Sequence, residues 1–331
     1  MKLDVAIIGC GDMGHQHLAG WQACEDAQVV AVCDPIQERR EKFASESGAT
    51  PYETHQDATK HEGVNVVSVC TPVCFHSEIA CFAANSGKHV LSEKPLALTL
   101  EQADAMIDAA KANGVLLSTS FQYRGVAKNA RLKKLFEEGA FGGPVFARYI
   151  DIRPVRPKIA MHRRSMNGGP VIDMASHYFD LMRMFTGKEA ISVSARGHVF
   201  GQGKNHLAGI GDLAIDAADI QVTMEGGHVL NVYVNWGMPE GYPGYGTELF
   251  VGPSLSVRPE GGKLLVQGVG INDTWDPGVG NPPGSTVRIN DLAAAIRENR
   301  QPEVTGENGR QALKLSLAAL ESIRTGEIIR F

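Results

Sequence analysis

The chain has 331 residues, which suits about two domains and is long enough to bury a core without disulfides. It carries 32 Lys and Arg against 37 Asp and Glu, a net charge of −5, and no basic block, which argues against a nucleic-acid partner. A hydrophobic fraction of 43 % and a charged fraction of 21 % exclude a disordered chain. The longest uncharged stretch, Gly63 to Ser77, contains Asn, Ser and Pro and cannot cross a bilayer. The apolar run between Asp4 and Asp12 is too short for a signal peptide, so the expected location is cytoplasmic, with no membrane partner.

Residues 1–120 alternate short apolar runs with amphipathic stretches of helical length. Strands are predicted at Leu3–Gly9, Val29–Asp34, Val64–Cys70, His89–Ser92 and Val115–Ser120, and helices near Met13–Ala23, Ile36–Ser47, Phe75–Asn85 and Leu100–Asn113. Strands this continuously apolar are buried on both faces, which implies a parallel sheet covered by helices.

Beyond residue 120 the texture changes. Only eight of the 37 glycines precede that point, and β-like stretches follow at Val145–Asp151, Ile191–Phe200, Asp219–Met224, His228–Val234, Thr247–Val251 and Lys263–Val266. Glu225-Gly226-Gly227 reads as a hairpin turn between two of them. Helices are predicted near Val126–Glu138, Pro170–Phe185 and Asn308–Thr325, and Gly268–Gly284 as a long surface loop. The expectation is therefore an α/β Rossmann domain over residues 1–120, followed by an α+β domain with a mainly antiparallel open sheet over 121–331. An exposed face on that sheet would favour a homodimer or homotetramer.

Gly9-Cys10-Gly11-Asp12-Met13-Gly14 follows the first strand and opens the first helix. In such a loop the first Gly allows a tight turn, the second lets backbone approach a pyrophosphate, and the third lets helix pack on strand. The helix N-terminus offers N–H groups to the diphosphate. Asp34, at the end of the second strand, stands where a carboxylate binds the adenosine ribose hydroxyls. That charge would repel a 2′-phosphate, so NAD is favoured over NADP, while Arg39 and Arg40 leave NADP use open.

The six cysteines, Cys10, Cys24, Cys33, Cys70, Cys74 and Cys81, read as small buried hydrophobes in a reducing compartment. Cys70, Cys74 and His76 lack the spacing of paired zinc ligands, so no metal is expected. His15 and His17 read as helix-surface residues, and Asp180 either continues the face of Asp173 and His177 or only faces solvent.

Two further motifs bear on chemistry: Ser92-Glu93-Lys94-Pro95 after the fifth strand, and Asp173-Met174-Ala175-Ser176-His177 in the second domain. Together with the Gly-rich loop, Thr71-Pro72, Tyr123-Arg124 and the closing helix with Gly326-Glu327, they resemble the Gfo/Idh/MocA family of oxidoreductases. In that family an E-K-P motif and a D-x-x-x-H motif flank the nicotinamide. The resemblance implies an NAD(P)-dependent dehydrogenase or reductase acting on a secondary hydroxyl or keto group of a sugar, inositol or related polyol. It makes His177 the acid/base and Lys94 the group that polarises the substrate oxygen. Asp173, four residues earlier on what reads as one helix, supports the imidazole or a substrate hydroxyl. Thr71, Pro72, His76 and Glu93 are expected to join Lys94 and the loop at the cofactor. Tyr123, Arg124, Arg153, His162 and Arg163 are candidate substrate donors. Asn167-Gly168-Gly169-Pro170, where the family often has three glycines, departs from the pattern on the substrate side. A non-catalytic NAD-binding regulator and an NAD-using glycosidase are the competing readings. Retention of Lys94, Asp173 and His177 argues against the first, and the second would turn over substrate without net redox change.

Overall fold

The computed structural model describes residues 2–331, the Asn205 side chain excepted. The chain forms two compact units. One runs to Gly125 and takes in Pro282–Leu313; the other comprises Val126–Asn281 and Lys314–Phe331.

The first unit is built on a six-stranded parallel sheet of β1 (Leu3–Ile8), β2 (Ala27–Cys33), β3 (Thr50–Tyr52), β4 (Val66–Val69), β5 (His89–Glu93) and β6 (Leu117–Ser120), in the order β3-β2-β1-β4-β5-β6. The crossovers are α1 (Asp12–Gln22), α2 (Gln37–Ser47), α3 (His55–Thr59), α4 (His76–Asn85) and α5 (Leu100–Ala112). Strand order reverses at β1 and β4, and in doubly wound sheets ligands bind at the carboxyl ends beside such a point. The Gly-rich loop, Thr71-Pro72 and Lys94 follow β1, β4 and β5 and so share that edge. Leu3, Val5, Ile7, Trp21, Val32 and Phe43 are completely buried in the core beneath it.

The second unit carries α6 (Ala127–Glu137), α7 (Gly169–Asp173) and α8 (Ala175–Thr186) with a nine-stranded sheet. Its strands are β7 (Phe146–Pro154), β8 (Ala190–His198), β9 (Ala217–Met224), β10 (Val229–Met238), β11 (Tyr245–Val251), β12 (Leu255–Glu260), β13 (Lys263–Gly268), β14 (Ile271–Trp275) and β15 (Ile329–Arg330), ordered β14-β13-β12-β11-β7-β10-β9-β8-β15. Every pairing is antiparallel except that of β7 with β10, which is parallel. Burial alternates along β7: Phe146 and Arg148 are exposed, Ala147 and Tyr149 buried. Tyr149 stacks on Tyr178 of α8 at 4.2 Å, and Phe136 of α6 on Phe185 of α8 at 5.5 Å.

Two further helices follow, α9 (Gly284–Glu298) and α10 (Gly306–Thr325). The sequence reading has no helix at α9 and assigns everything after residue 120 to the second domain. In the structure α9 packs on α1, where Gly20 makes room for Ile289: a Cβ at Gly20 would lie 2.4 Å from the Ile289 Cδ1. Residues Gln122–Gly125 also stay with the first unit, because Gly125 and Gly284 let that turn lie directly on α9. Tyr123 and Arg124 therefore belong to the first unit rather than the second. The expected loop Gly268–Gly284 is also shorter than read. Gly270, at φ +73°, turns the chain so that Ile271 pairs with Gly268, and β14 forms a hairpin with β13.

Candidate active site

The Gly-rich loop is packed against protein at both ends and open in the middle. Gly9 has φ +103°, and a Cβ there would lie 2.7 Å from the Cys70 carbonyl oxygen. A Cβ at Gly14 would come within 2.2 Å of the Gly9 carbonyl oxygen, so strand and helix touch there through bare backbone. A Cβ at Gly11 would meet nothing within 4 Å. Gly11 is also the N-cap of α1 and supplies no capping side chain, so Asp12, Met13 and Gly14 form a first turn whose N–H groups point out of the helix end.

Asp34, buried directly after β2, accepts the Cys10 amide at 3.0 Å on one oxygen and the Ile36 amide at 2.9 Å on the other. A carboxylate has about four acceptor sites, so each oxygen retains capacity for a ribose hydroxyl. Arg40 donates to the Asp34 and Pro35 carbonyls, while Arg39 is exposed. Behind the loop the Thr71 hydroxyl oxygen is buried with no partner among the described residues. A cradle open only over Gly11, an acid with spare acceptor capacity and an orphaned hydroxyl together fit a dinucleotide.

His76 is buried, with Nδ1 3.0 Å from the Pro95 carbonyl and Nε2 2.9 Å from the Thr71 carbonyl. Its ring ties the loop after β4 to the turn after β5, and burial lowers its pKa. The Lys94–Pro95 peptide bond is cis. Lys94 is half-buried, and its amide donates to the Glu93 carboxylate at 3.1 Å.

His17 is completely buried, contrary to the surface reading, because α1 turns it inward onto β4 and β5. Its Nδ1 meets the Ser68 hydroxyl at 2.8 Å and its Nε2 meets Glu93 Oε1 at 2.9 Å. His15 does lie outside, against Gly11 O and Glu46.

In the second unit Asp173 and His177 are both buried, but not on a single helix. Asp173 closes α7, His177 lies in the first turn of α8, and the His177 amide bonds the Met174 carbonyl at 3.1 Å. The Ser176 hydroxyl donates to the Asp173 carbonyl at 3.1 Å. Asn167 donates to Asp173 Oδ2 at 3.3 Å, giving this departure from the glycine run a role in holding the carboxylate. Gly168 and Gly169 have φ +76° and +73°, and a Cβ at Gly169 would lie 2.6 Å from the Ala214 Cβ. Asp180 is buried rather than solvent-facing.

Arg153 grips Asp151 with both Nε and Nη2, at 2.8 and 2.6 Å, and its Nη2 also lies 3.9 Å from the Met174 sulfur. The Trp236 indole donates to the same Asp151 at 3.3 Å. Asp151 and Trp236 were not singled out from sequence; a buried acid and a Trp on adjacent strands carry no local motif. His162 is buried and its Nε2 accepts the Arg156 amide at 2.8 Å, so the ring proton resides on Nδ1. Burial pushes its pKa down to about 4, helped by the His206 and Arg156 charges and opposed by the Arg156 hydrogen bond. Arg163 is held by Asp212 at 2.7 Å.

The Gfo/Idh/MocA pattern described as an oxidoreductase family with an NAD-binding Rossmann fold matches residues 3–121, and the C-terminal domain of the same family matches residues 129–264. The chain belongs to the Gfo/Idh/MocA family. It is an NAD-binding oxidoreductase with a Rossmann half and a mainly antiparallel half. Among its relatives, myo-inositol 2-dehydrogenase of Thermotoga maritima is 31 % identical over 64 % of this chain, which spans 63 % of that protein's length. The scyllo-inositol 2-dehydrogenase (NAD(+)) of Bacillus subtilis is 27 % identical over 97 % of this chain and 94 % of its own. A levoglucosan dehydrogenase solved with NADH and levoglucosan shares the fold, with a TM-score of 0.88 at 23 % identity, covering 100 % of this chain and 99 % of that one. No helix among the described residues is long and apolar enough to cross a membrane.

Proposed function

We propose that the chain is an NAD-dependent dehydrogenase or reductase acting on a secondary hydroxyl or keto group of an uncharged sugar or cyclitol. The observation that carries this reading is one chain's combination of a dinucleotide cradle open over Gly11 with the buried pair Asp173 and His177. NAD, when bound, supplies the hydride acceptor or donor. His177 takes the hydroxyl proton, as a general base whose usual worth is ~10² to 10⁴ in rate. Lys94 presents a cation to the oxygen on which negative charge develops. Asp173, steadied by Asn167, orients the imidazole or a neighbouring substrate hydroxyl.

The neutral-substrate part rests on side-chain chemistry. Arg153 is already neutralised by Asp151 and Arg163 by Asp212, which disfavours a phosphate anchor at either. Ring hydroxyls both donate and accept and suit such a mixed polar surface. Named activities of the inositol and levoglucosan dehydrogenases point the same way. Preference for NAD over NADP follows from Asp34. The first unit then serves as the NAD-binding domain and the second as the substrate domain. Phe146, Tyr245, Leu249 and Val251 lie exposed on the strands β7 and β11, which favours a homo-oligomer through that sheet. Six free cysteines suit a cytoplasmic protein.

The test is a kinetic panel of inositols, aldoses, their deoxy analogues and sugar phosphates, read by nicotinamide absorbance. A neutral ring should be turned over, and loss of one recognised hydroxyl should cost ~1 to 3 kcal/mol. Turnover of phosphorylated or nucleotide-linked sugars alone would overturn the reading.

A further inference from the structure

His17 and Glu93 are two ionisable side chains, buried in the first unit, that the proposed chemistry does not use directly. Glu93 ends β5, and its carboxylate is divided between two tasks. Oε1 meets His17 Nε2 at 2.9 Å, while Oε2 accepts the Lys94 amide at 3.1 Å. His17 is held on its other side by the Ser68 hydroxyl at 2.8 Å, and Ser68 is fixed in turn by the Trp21 indole at 3.1 Å. The chain of contacts runs from α1 through β4 to the backbone of Lys94. A carboxylate this deeply buried needs a compensating charge, and one left uncompensated beside a lysine would draw on the ammonium.

We propose that His17 is a positioning residue for Lys94: as an imidazolium it neutralises Glu93, so that this carboxylate holds the Lys94 main chain without raising the basicity of its side chain. This rests on the reading of Lys94 as the group that polarises the substrate oxygen.

The electrostatics of the cluster agree. Burial drives the His17 ring down, but Cys70 and Glu93 more than offset it and raise its pKa to about 10. Burial pushes Glu93 up, and the His17 hydrogen bond and charge, followed by Lys94, outweigh it and hold the carboxyl below its usual range. Burial raises the Cys70 pKa while the facing His17 charge and hydrogen bond lower it, and Glu93 is the carboxylate that His17 Nε2 meets. The ionisable groups around His17 are thus Cys70 after β4 and Glu93 with Lys94 at the end of β5.

Two measurements on the full chain, neither dependent on turnover, test the inference. Imidazole ¹⁵N shifts of the unaltered protein at neutral pH should show His17 doubly protonated; a neutral ring would overturn the proposal. Titration of the Lys94 side chain by its ¹³Cε shift, assigned with Lys94→Arg, should move upward by roughly 1 pH unit in His17→Gln and return in His17→Gln/Glu93→Gln. An unchanged Lys94 midpoint in folded His17→Gln would likewise overturn it. Absence of turnover by the unaltered chain would instead count against the proposed function and leave both spectroscopic results standing.

Discussion

The Asp34 carboxylate accepts the Cys10 amide at 3.0 Å, so the acid that follows the second strand is fastened to the loop that opens the first helix. Its charge is therefore fixed in place beside the loop. A 2′-phosphate brought to this spot adds about −1.5 to −2 charges against it. NAD(H) should bind more tightly than NADP(H), and Asp34→Ser should narrow the difference by on the order of tenfold. Fluorescence titration of the four cofactor forms checks this; equal or stronger NADPH binding by the unaltered protein would contradict it.

The three loop glycines should fail in different ways. Gly14→Ala places a methyl 2.2 Å from the Gly9 carbonyl oxygen, and helix and strand must separate to admit it. A marked loss of stability is expected, of about 1 to 3 kcal/mol or more. Gly11→Ala meets no protein atom within 4 Å, so its melting temperature should stay near that of the parent while NAD affinity falls. Calorimetry with and without NAD separates the two. A Gly11→Ala protein that binds NAD normally would remove the loop from the cofactor site.

Lys94→Ala and His177→Ala should each lower kcat by ~10² to 10⁴ with NAD affinity nearly intact. Stopped-flow turnover beside equilibrium cofactor titration makes the comparison. Near-parental turnover in His177→Ala would transfer proton handling to another group, with Tyr123 the first to examine.

The buried His162 sets a pH signature on stability. Its folded pKa is about 4 against an unfolded value of 6.5, so between those values the unfolded chain binds more protons. Stability therefore rises with pH across this window and is lost as pH falls from 6.5 towards 4. His162→Gln keeps an acceptor for the Arg156 amide but cannot titrate. The stability advantage of the parent over this variant should shrink between neutral pH and about pH 5 in urea titrations. A gap that stays constant or widens would show that His162 is not held neutral.

Much of the first sheet is legible because most of its strands lie on or beside a short apolar run, such as Val5–Ile8 in β1 and Val29–Cys33 in β2. β1, β2, β4, β5 and β6 all lie on predicted strands with ends displaced by a few residues. β3 is three residues long and contains Pro51, so it shows no run to detect. In the second unit β12 escapes for a similar reason, with Arg258, Pro259 and Glu260 breaking its pattern. The helix α9 was legible in principle: Ile289, Leu292, Ala293 and Ile296 have helical spacing, but the preceding Gly- and Pro-rich tract obscures its start. Site residues carried by contiguous motifs could be named in advance. His17, Asp151 and Trp236 could not, because the contacts that place them in the site join elements far apart in the chain: His17 with Glu93, and Asp151 with Trp236.

The single parallel pairing in the second sheet governs when its polar cluster can exist. Since β7 and β10 run the same way, Asp151 and Trp236 emerge at the same end of the pair, although 85 residues separate them along the chain. An opposite run of β10 would carry Trp236 to the far end, out of reach of the acid. No local hairpin can produce this contact, and a loop of that length must close before it forms. Closure of that loop is accordingly a precondition for the Asp151–Trp236 bond, whereas Arg153 and Asp151 meet locally on β7. Substitutions that weaken the β7–β10 seam would expose the sheet's centre in the interval before that closure, when unpaired strands are most prone to join those of another chain.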